Sequence, residues 1–490
     1  MQSLLAILIP IVSAVILFVL PKANAKQFAL ISAIISLGVT IASYFVFDIN
    51  GGEQFSINVP WIEMLGIQFH IGMDGISLLM VFLCNLLMPF IILSAFKDEY
   101  SNTKVFYALM LVMQGAMNGV FVAMDMFLYY IFWELALIPA YFLVLRWGTG
   151  EARKITIKFF IYTLFGSLFM LVGIIWMAYY GTNGSTDISA IYNLVIDERT
   201  QMFLFFAFML AYAIKIPVFP FHTWQPDTYT SAPAPVTMML SGIMLKMGLY
   251  SIIRWVLPVM PDAVNEYGIY VIILATIGVL YASSIAWVQK DLKRLFAYAS
   301  LAHVGIIAAG LLTATAIGIQ GGLLQMVAHG IYAVGLFYIC QIIYRQQQNH
   351  VIDKLGGIRL KAPLFAGMYL VILLASVSLP LTNAFPGEFM LLSSIYTFNP
   401  WICLFAGSGV ILGAMYMLSS YQKVMLGETT GSTNHFHELN FYDKVVLIPI
   451  VILIFIFGLF PNSINDLTAP AVDAIINQMQ SHTEAININR

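Results

Sequence analysis

Fourteen apolar stretches run through this chain, at about 3–20, 27–47, 74–96, 105–124, 126–145, 156–180, 201–219, 234–257, 268–288, 294–312, 317–343, 363–398, 401–421 and 444–460. A helix needs about 20 apolar residues to cross the roughly 30 Å hydrocarbon core of a bilayer. Within that core only a helix or a closed barrel satisfies its own backbone. The stretches are too long for barrel strands, so they predict an all-α integral membrane protein with about 14 transmembrane helices. Composition agrees, with 60% of residues apolar and only 9% charged, far from a soluble domain. The first stretch has no basic leader and no cleavage-like small-residue site, so it reads as a retained helix and not a signal peptide.

The basic residues test the count independently. Seventeen of the 22 Lys and Arg fall in loops that follow odd-numbered stretches. Only Arg199, Arg254 and Arg490 fall on the opposite side, and Lys215 and Lys246 lie within the membrane. One miscounted helix would have blurred that division. The positive-inside rule then places the odd loops in the cytoplasm and both termini outside.

Two stretches are not clean. The seventh stops at Pro217 and Pro220 and resumes near Thr228; the twelfth is interrupted by Pro380 and Pro386. A proline inside a helix removes a donor and frees a carbonyl. The breaks lie five helices apart, an odd offset that reverses orientation. Segments 4–8 and 9–13 therefore read as two inverted five-helix repeats, at about 105–257 and 268–421, within one transmembrane domain over 1–461. Ion sites in such architectures lie where discontinuous helices meet near the midplane. Outside the membrane, the loop Asp48 to Met73 is acidic and aromatic, with no Lys or Arg. The tail 462–490 is expected outside, its apolar face (Val472, Ile475, Ile476, Met479) against the membrane or a neighbouring subunit.

Six titratable groups fall near the middle of predicted spans: Glu134, Lys215, Lys246, His303, His329 and Glu388. A lysine at the bilayer centre costs roughly 2.5–3.5 kcal/mol on insertion scales unless water or a partner receives it. Two Lys and two Glu at that depth would total roughly 10–14 kcal/mol, a cost that a mere scaffold avoids with leucine. Similar depth in several helices makes a row across the membrane plane, along which protons pass through water between groups of comparable affinity. Alternatives stand beside this reading. Glu134 or Lys246 could be half of a structural ion pair, and Lys215 could ligate the carbonyls freed by Pro217. His303 and His329 could be neutral side chains bonded to helix carbonyls. His222, in the polar break, could line a water intake or cap the half-helix.

Three cysteines (Cys84, Cys340, Cys403) stand singly in apolar runs, which excludes CxxC metal or redox sites and predicts buried inert thiols. The chain has no phosphate-binding loop, dinucleotide fingerprint or haem-attachment motif. Any redox centres it works with belong to other chains.

The segments GMDGISL (72–78), YYIFWELALIP (129–139), AIKIPVFPFHTW (213–224), LSGIMLKMG (240–248), QKDLKRLFAYASLAHVG (289–305), MVAHGIYAVGLF (326–337) and LPLTNAFPGEF (379–389) make the resemblance specific. Over essentially its full length the chain resembles the antiporter-like subunits of proton-pumping NADH:quinone oxidoreductase, respiratory complex I. Glutamate at 388, where the L and N types tend to carry lysine, points to the M type, as does the length without a long lateral helix. The resemblance implies a translocase subunit in a bacterial inner membrane, with L- and N-type neighbours and no nucleic-acid partner. NADH, FMN, Fe–S clusters and quinone would be held by other subunits. It further implies that Glu134 pairs with Lys215, that Lys246 is the central relay, and that His303 and His329 line the hydrated connection. Glu388 would be the terminal group toward the outside. The chain departs from the pattern at Gln225, Tyr229, Ser231 and Pro235 in the first break, and at Ala384 and Pro386 in the second. The runner-up reading is a subunit of a multisubunit Na+/H+ antiporter or of a membrane-bound hydrogenase.

Overall fold

The computed structural model describes residues 1–182, 184–431 and 433–488; Arg490 lies outside them. Among the described residues, twelve uninterrupted helical spans are long and apolar enough to cross a membrane. They are α1 (Gln2–Val19), α2 (Ala25–Val46), α3 (Gly75–Ser94), α4 (Thr103–Val122), α5 (Met126–Trp147), α6 (Ala152–Trp176), α8 (Ala234–Val256), α9 (Pro261–Trp287), α10 (Leu292–Leu311), α11 (Ala316–Gln347), α13 (Pro400–Met425) and α14 (Phe441–Leu459). Two further crossings are split. α7 consists of Glu198–Lys215 and Trp224–Ser231, and α12 of Pro363–Ser376 and Ala384–Phe398. Being five spans apart, the split helices run in opposite senses, as inverted repeats α4–α8 and α9–α13 require. The second half of α7 begins at Trp224, earlier than the expected Thr228, because the Trp224 indole Nε1–H donates to Ile214 O (2.9 Å) and anchors its first turn on the half-helix before it.

Burial sorts the helices by role. α11 is the axis of the molecule, with the apolar part of its 32 residues wholly buried. α2, α6, α13 and α14 turn Ile34, Phe165, Leu404 and Ile452 outward, as expected of helices whose outer face meets lipid or a neighbour. Polar side chains start the central helices: Asp291 accepts from Arg294 N at the head of α10, and Thr315 from Gly318 N at the head of α11. α8 is irregular, with π-helical turns at Leu240–Met244 and Ile252–Val256 on either side of the α-helical turn that carries Lys246. Such bulges frequently mark functional positions.

The loop after α2 is an antiparallel hairpin, β1 (Gln54–Ile62) and β2 (Ile67–Met73), and not an irregular connection. It lies on the face that carries both termini. His70 clamps it there: Nδ1 is 2.5 Å from Asp187 Oδ2 and Nε2 is 2.9 Å from Glu53 Oε1. Burial alone would lower the His70 pKa, but the two carboxylates override it and push it up to about 9. The hairpin is the one sheet among the described residues.

Two expectations need correction. α15 (Asn462–Ile488) does not lay its apolar face on the membrane; it packs across α3 and α11, burying Val472, Ile475 and Met479. Gln478 Nε2 anchors it on Tyr192 O (2.6 Å). Arg254, counted on the outer side at the end of the eighth stretch, is buried in the last turn of α8, where Asp74 neutralises it (2.6 Å). Cys84 and Cys340 are buried as expected, whereas Cys403 is only half-buried at the start of α13.

Candidate functional site

Lys246 is fully buried. Its Nζ donates to Ser241 O (2.6 Å) and lies 2.5 Å from His329 Nδ1. The far imidazole nitrogen, Nε2, is 3.0 Å from Ser300 Oγ, and Ser300 Oγ is 3.2 Å from Ser241 Oγ. An ammonium has no acceptor, so beside charged Lys246 the His329 Nδ1 accepts and Nε2–H donates to Ser300. With Lys246 neutral the same contact can run the other way. A proton therefore has a place on either side of one short hydrogen bond. The structural-ion-pair alternative for Lys246 fails, because no carboxylate pairs with it among the described residues.

His303, on α10, is buried with neither ring nitrogen bonded to a described residue. That excludes the helix-carbonyl alternative for this histidine. The Tyr332 ring lies between the two imidazoles, 5.8 Å from His303 and 5.2 Å from His329.

On the first repeat, Lys215 ends the first half of α7, buried, with its Nζ 4.9 Å from the Trp133 ring centroid and no hydrogen-bond acceptor among the described residues. It does not ligate the carbonyls freed around Pro217. Tyr212 O, Ala213 O and Ile214 O are taken by Ile216 N (2.7 Å), Val218 N (2.8 Å) and the Trp224 indole (2.9 Å). Glu134, on α5 beside Trp133, is half-buried, with Oε1 unpartnered and the Ser167 hydroxyl beside its carboxylate. Glu134 and Lys215 sense one another electrostatically without closing into a hydrogen-bonded pair.

On the second repeat, Glu388 is buried in the first turn after the α12 break. Its Oε2 accepts from Ser378 Oγ, while Oε1 is unpartnered. Tyr332 and Tyr416 lie within its electrostatic reach. Gly387 allows this placement, since a Cβ there would sit 2.8 Å from Gln325 N of α11. The break holds Ser378 at φ 54° and Leu381 at φ 76°. Left-handed backbone at non-glycine residues costs about 1–3 kcal/mol each and collects at functional sites.

His222 lies apart. It stacks on Phe219 (5.6 Å) and meets Tyr281 (5.0 Å) inside the α7 break. The adjacent turn is tied down by Lys158, whose Nζ donates to Thr223 O (2.8 Å) and Asp227 (3.0 Å). The six midspan groups thus form three nodes: Glu134 with Lys215, Lys246 with His329 and His303, and Glu388 with Ser378. Direct hydrogen bonds join Lys246 to His329 and Ser378 to Glu388; among the described residues none joins one node to another.

Several partners escaped the sequence reading. Ser300 stands three residues before His303 and Tyr332 three after His329, spacings that share a helix face, so a helical projection would have shown them. Ser167 and Ser241 carry no such signal. They are found only when helices are packed.

The family described as "NADH:quinone oxidoreductase/Mrp antiporter, TM" matches residues 123–415, a span holding all six midspan groups. A relative named NADH-quinone oxidoreductase subunit M, from Rickettsia prowazekii, is 36% identical over 482 residues, covering 96% of this chain and 98% of the relative. Among solved structures, a chain of respiratory complex I from Thermus thermophilus with bound NADH superposes with a TM-score of 0.90 at 28% identity, over 98% of this chain and 100% of that one. A chain of an archaeal membrane-bound sulfane sulfur reductase shares the fold (TM-score 0.86, 23% identity, 99% of each chain). The chain belongs to the family of antiporter-like M subunits of NADH-quinone oxidoreductase.

Proposed function

We propose that this subunit moves protons across a bacterial cytoplasmic membrane through its midplane row, driven by quinone reduction in partner subunits. The observation that carries the reading is the 2.5 Å contact between Lys246 Nζ and His329 Nδ1 in a fully buried site. A lysine at that depth is stable only with a partner, and this partner is a base, not a carboxylate. In the proposed sequence, loss of negative charge at Glu134 leaves Lys215 as an uncompensated buried cation. Its proton then passes toward Lys246, on to His329 and His303, and out by Glu388. Water supplies the links between nodes.

The basic-residue bias supports both termini outside, with the hairpin and α15 on the outer face. The inner face then holds a cavity of about 780 Å³ lined by Asp98, Asp291, Lys293 and His350, room for water to approach the first break, where His222 would support uptake. The domain reading follows: one unit over 1–461, with repeats at about 105–257 and 268–421. NADH, FMN, Fe–S clusters and quinone are assigned to partner subunits, and L- and N-type antiporter-like subunits to its flanks.

The test is proton and sodium transport by the assembled complex in proteoliposomes, with pH and Na+ gradients imposed separately. Acidification of the lumen during NADH oxidation in Na+-free medium is expected. Transport that requires Na+ would overturn the proton reading in favour of the Na+/H+ antiporter alternative.

A further inference from the structure

A cavity of about 410 Å³ opens at the face that carries the termini, between the loop 49–53 that leads into the hairpin, the start of α3, the short helix Ile188–Tyr192 and α15. It is lined by Glu53, Asp74, Tyr192 and Arg254 among others and is polar and roomy enough for water. Its floor is the Asp74–Arg254 ion pair (2.6 Å). Arg254 is buried. Its Nη2 donates to Asp74 and to Ser77 Oγ (3.2 Å), and its Nε donates to Tyr250 OH (3.1 Å). Tyr250 OH in turn donates to Phe121 O (3.0 Å).

Lys246, Tyr250 and Arg254 stand at i, i+4 and i+8 of α8, so they share one face, about 12 Å from first to last along the axis. Water in the cavity is therefore two helical turns from the central lysine, with a tyrosine hydroxyl between. Under a membrane potential that pulls cations inward with about 2.3 kcal/mol per 100 mV, such a track would short-circuit a pump. A guanidinium stops it in two ways. It donates on every side and has no lone pair to accept, so no proton can hop through it. Its charge is permanent and repels an approaching proton, the device by which a pore arginine excludes cations.

We propose that Arg254, pinned by Asp74, is a proton-tight seal that blocks return from the outer cavity to Lys246 and leaves the Glu388 side as the outward path. The proposal rests on Lys246 being the relay and on the outward orientation of this face. It adds a function that the row does not supply.

The experiment measures passive proton influx into proteoliposomes of the assembled complex, without NADH, under a potassium–valinomycin diffusion potential. Arg254→Gln replaces a pure donor by a group that both donates and accepts, and influx is expected to rise at least about tenfold. Arg254→Lys, which keeps a charge, should stay near wild type. Asp74→Asn, which leaves the arginine in place but unpinned, should leak by a smaller factor and serves if the first variant fails to assemble. In Arg254→Gln combined with Lys246→Met, influx should return to the wild-type level, because the leak runs through the lysine. Vesicles as tight as wild type with Arg254→Gln or Asp74→Asn present at normal levels would overturn the seal. So would a leak that survives loss of Lys246, which would mark a merely loosened structure. The relay reading is judged separately, by NADH-driven pumping of Lys246→Met alone.

Discussion

Lys246→Met isolates the proton-carrying role of the central lysine from its structural one. Removing the ammonium relieves roughly 2.5–3.5 kcal/mol of insertion cost. It also strands Ser241 O and His329 Nδ1, which now bond Nζ at 2.6 and 2.5 Å, at about 1–3 kcal/mol each. Methionine occupies nearly the same volume, whereas alanine would add about 2–5 kcal/mol for the cavity. The terms nearly cancel, so the methionine variant is expected to fold and assemble. Transport has no such compensation. A proton crossing this position without the lysine is a bare charge in the same surroundings, so the roughly 2.5–3.5 kcal/mol returns as barrier height. That slows the step by about 70- to 400-fold. The assay is NADH-driven lumen acidification in proteoliposomes, with quinone reduction followed in parallel and subunit content quantified. Transport through this subunit should collapse, taking quinone reduction with it where coupling is tight. Lys246→Arg sharpens the test, since arginine keeps the charge but does not release its proton; it should fail as the methionine does. Wild-type pumping by either variant, at normal subunit levels, would refute the relay.

Glu134→Gln keeps the shape and the Ser167 neighbour while removing the charge that Lys215 senses; pumping should fall at least about tenfold with assembly intact, read in the same vesicles. The His70 clamp should be pH-dependent with a definite sign. Its pKa is raised from about 6.5 to about 9 in the folded protein, so its stabilisation, up to about 3 kcal/mol, is complete below about pH 6.5, declines above it and is gone beyond about pH 9. Amide exchange of residues 54–73 should accelerate between pH 7 and pH 10 beyond the intrinsic base-catalysed increase, and His70→Gln should abolish that excess. Gly458→Ala would drive a Cβ into the Leu381 carbonyl at the strained α12 break; a loss of about 1–3 kcal/mol should show as lowered thermal stability of the complex and weakened pumping through displaced Glu388.

The number of spans, the two broken helices and the helices that carry Glu134, Lys215, Lys246, His303, His329 and Glu388 were all legible in the order of residues. Hydrophobic length and proline chemistry act locally along the chain, and the bilayer translates length directly into topology. Contacts between distant helices were not legible, because they depend on rotation and crossing, which hydropathy leaves open. Only packing decided that Lys246 meets His329 across 83 positions of sequence, and that Lys215 faces Trp133 instead of the carbonyls two residues away. Arg254 belongs to the same class: the carboxylate that makes its burial possible stands 180 residues earlier, and nothing local in the sequence names it. The hairpin and the docking of α15 followed for the same reason, since an acidic loop and an amphipathic tail each take the surface that the assembled bundle presents.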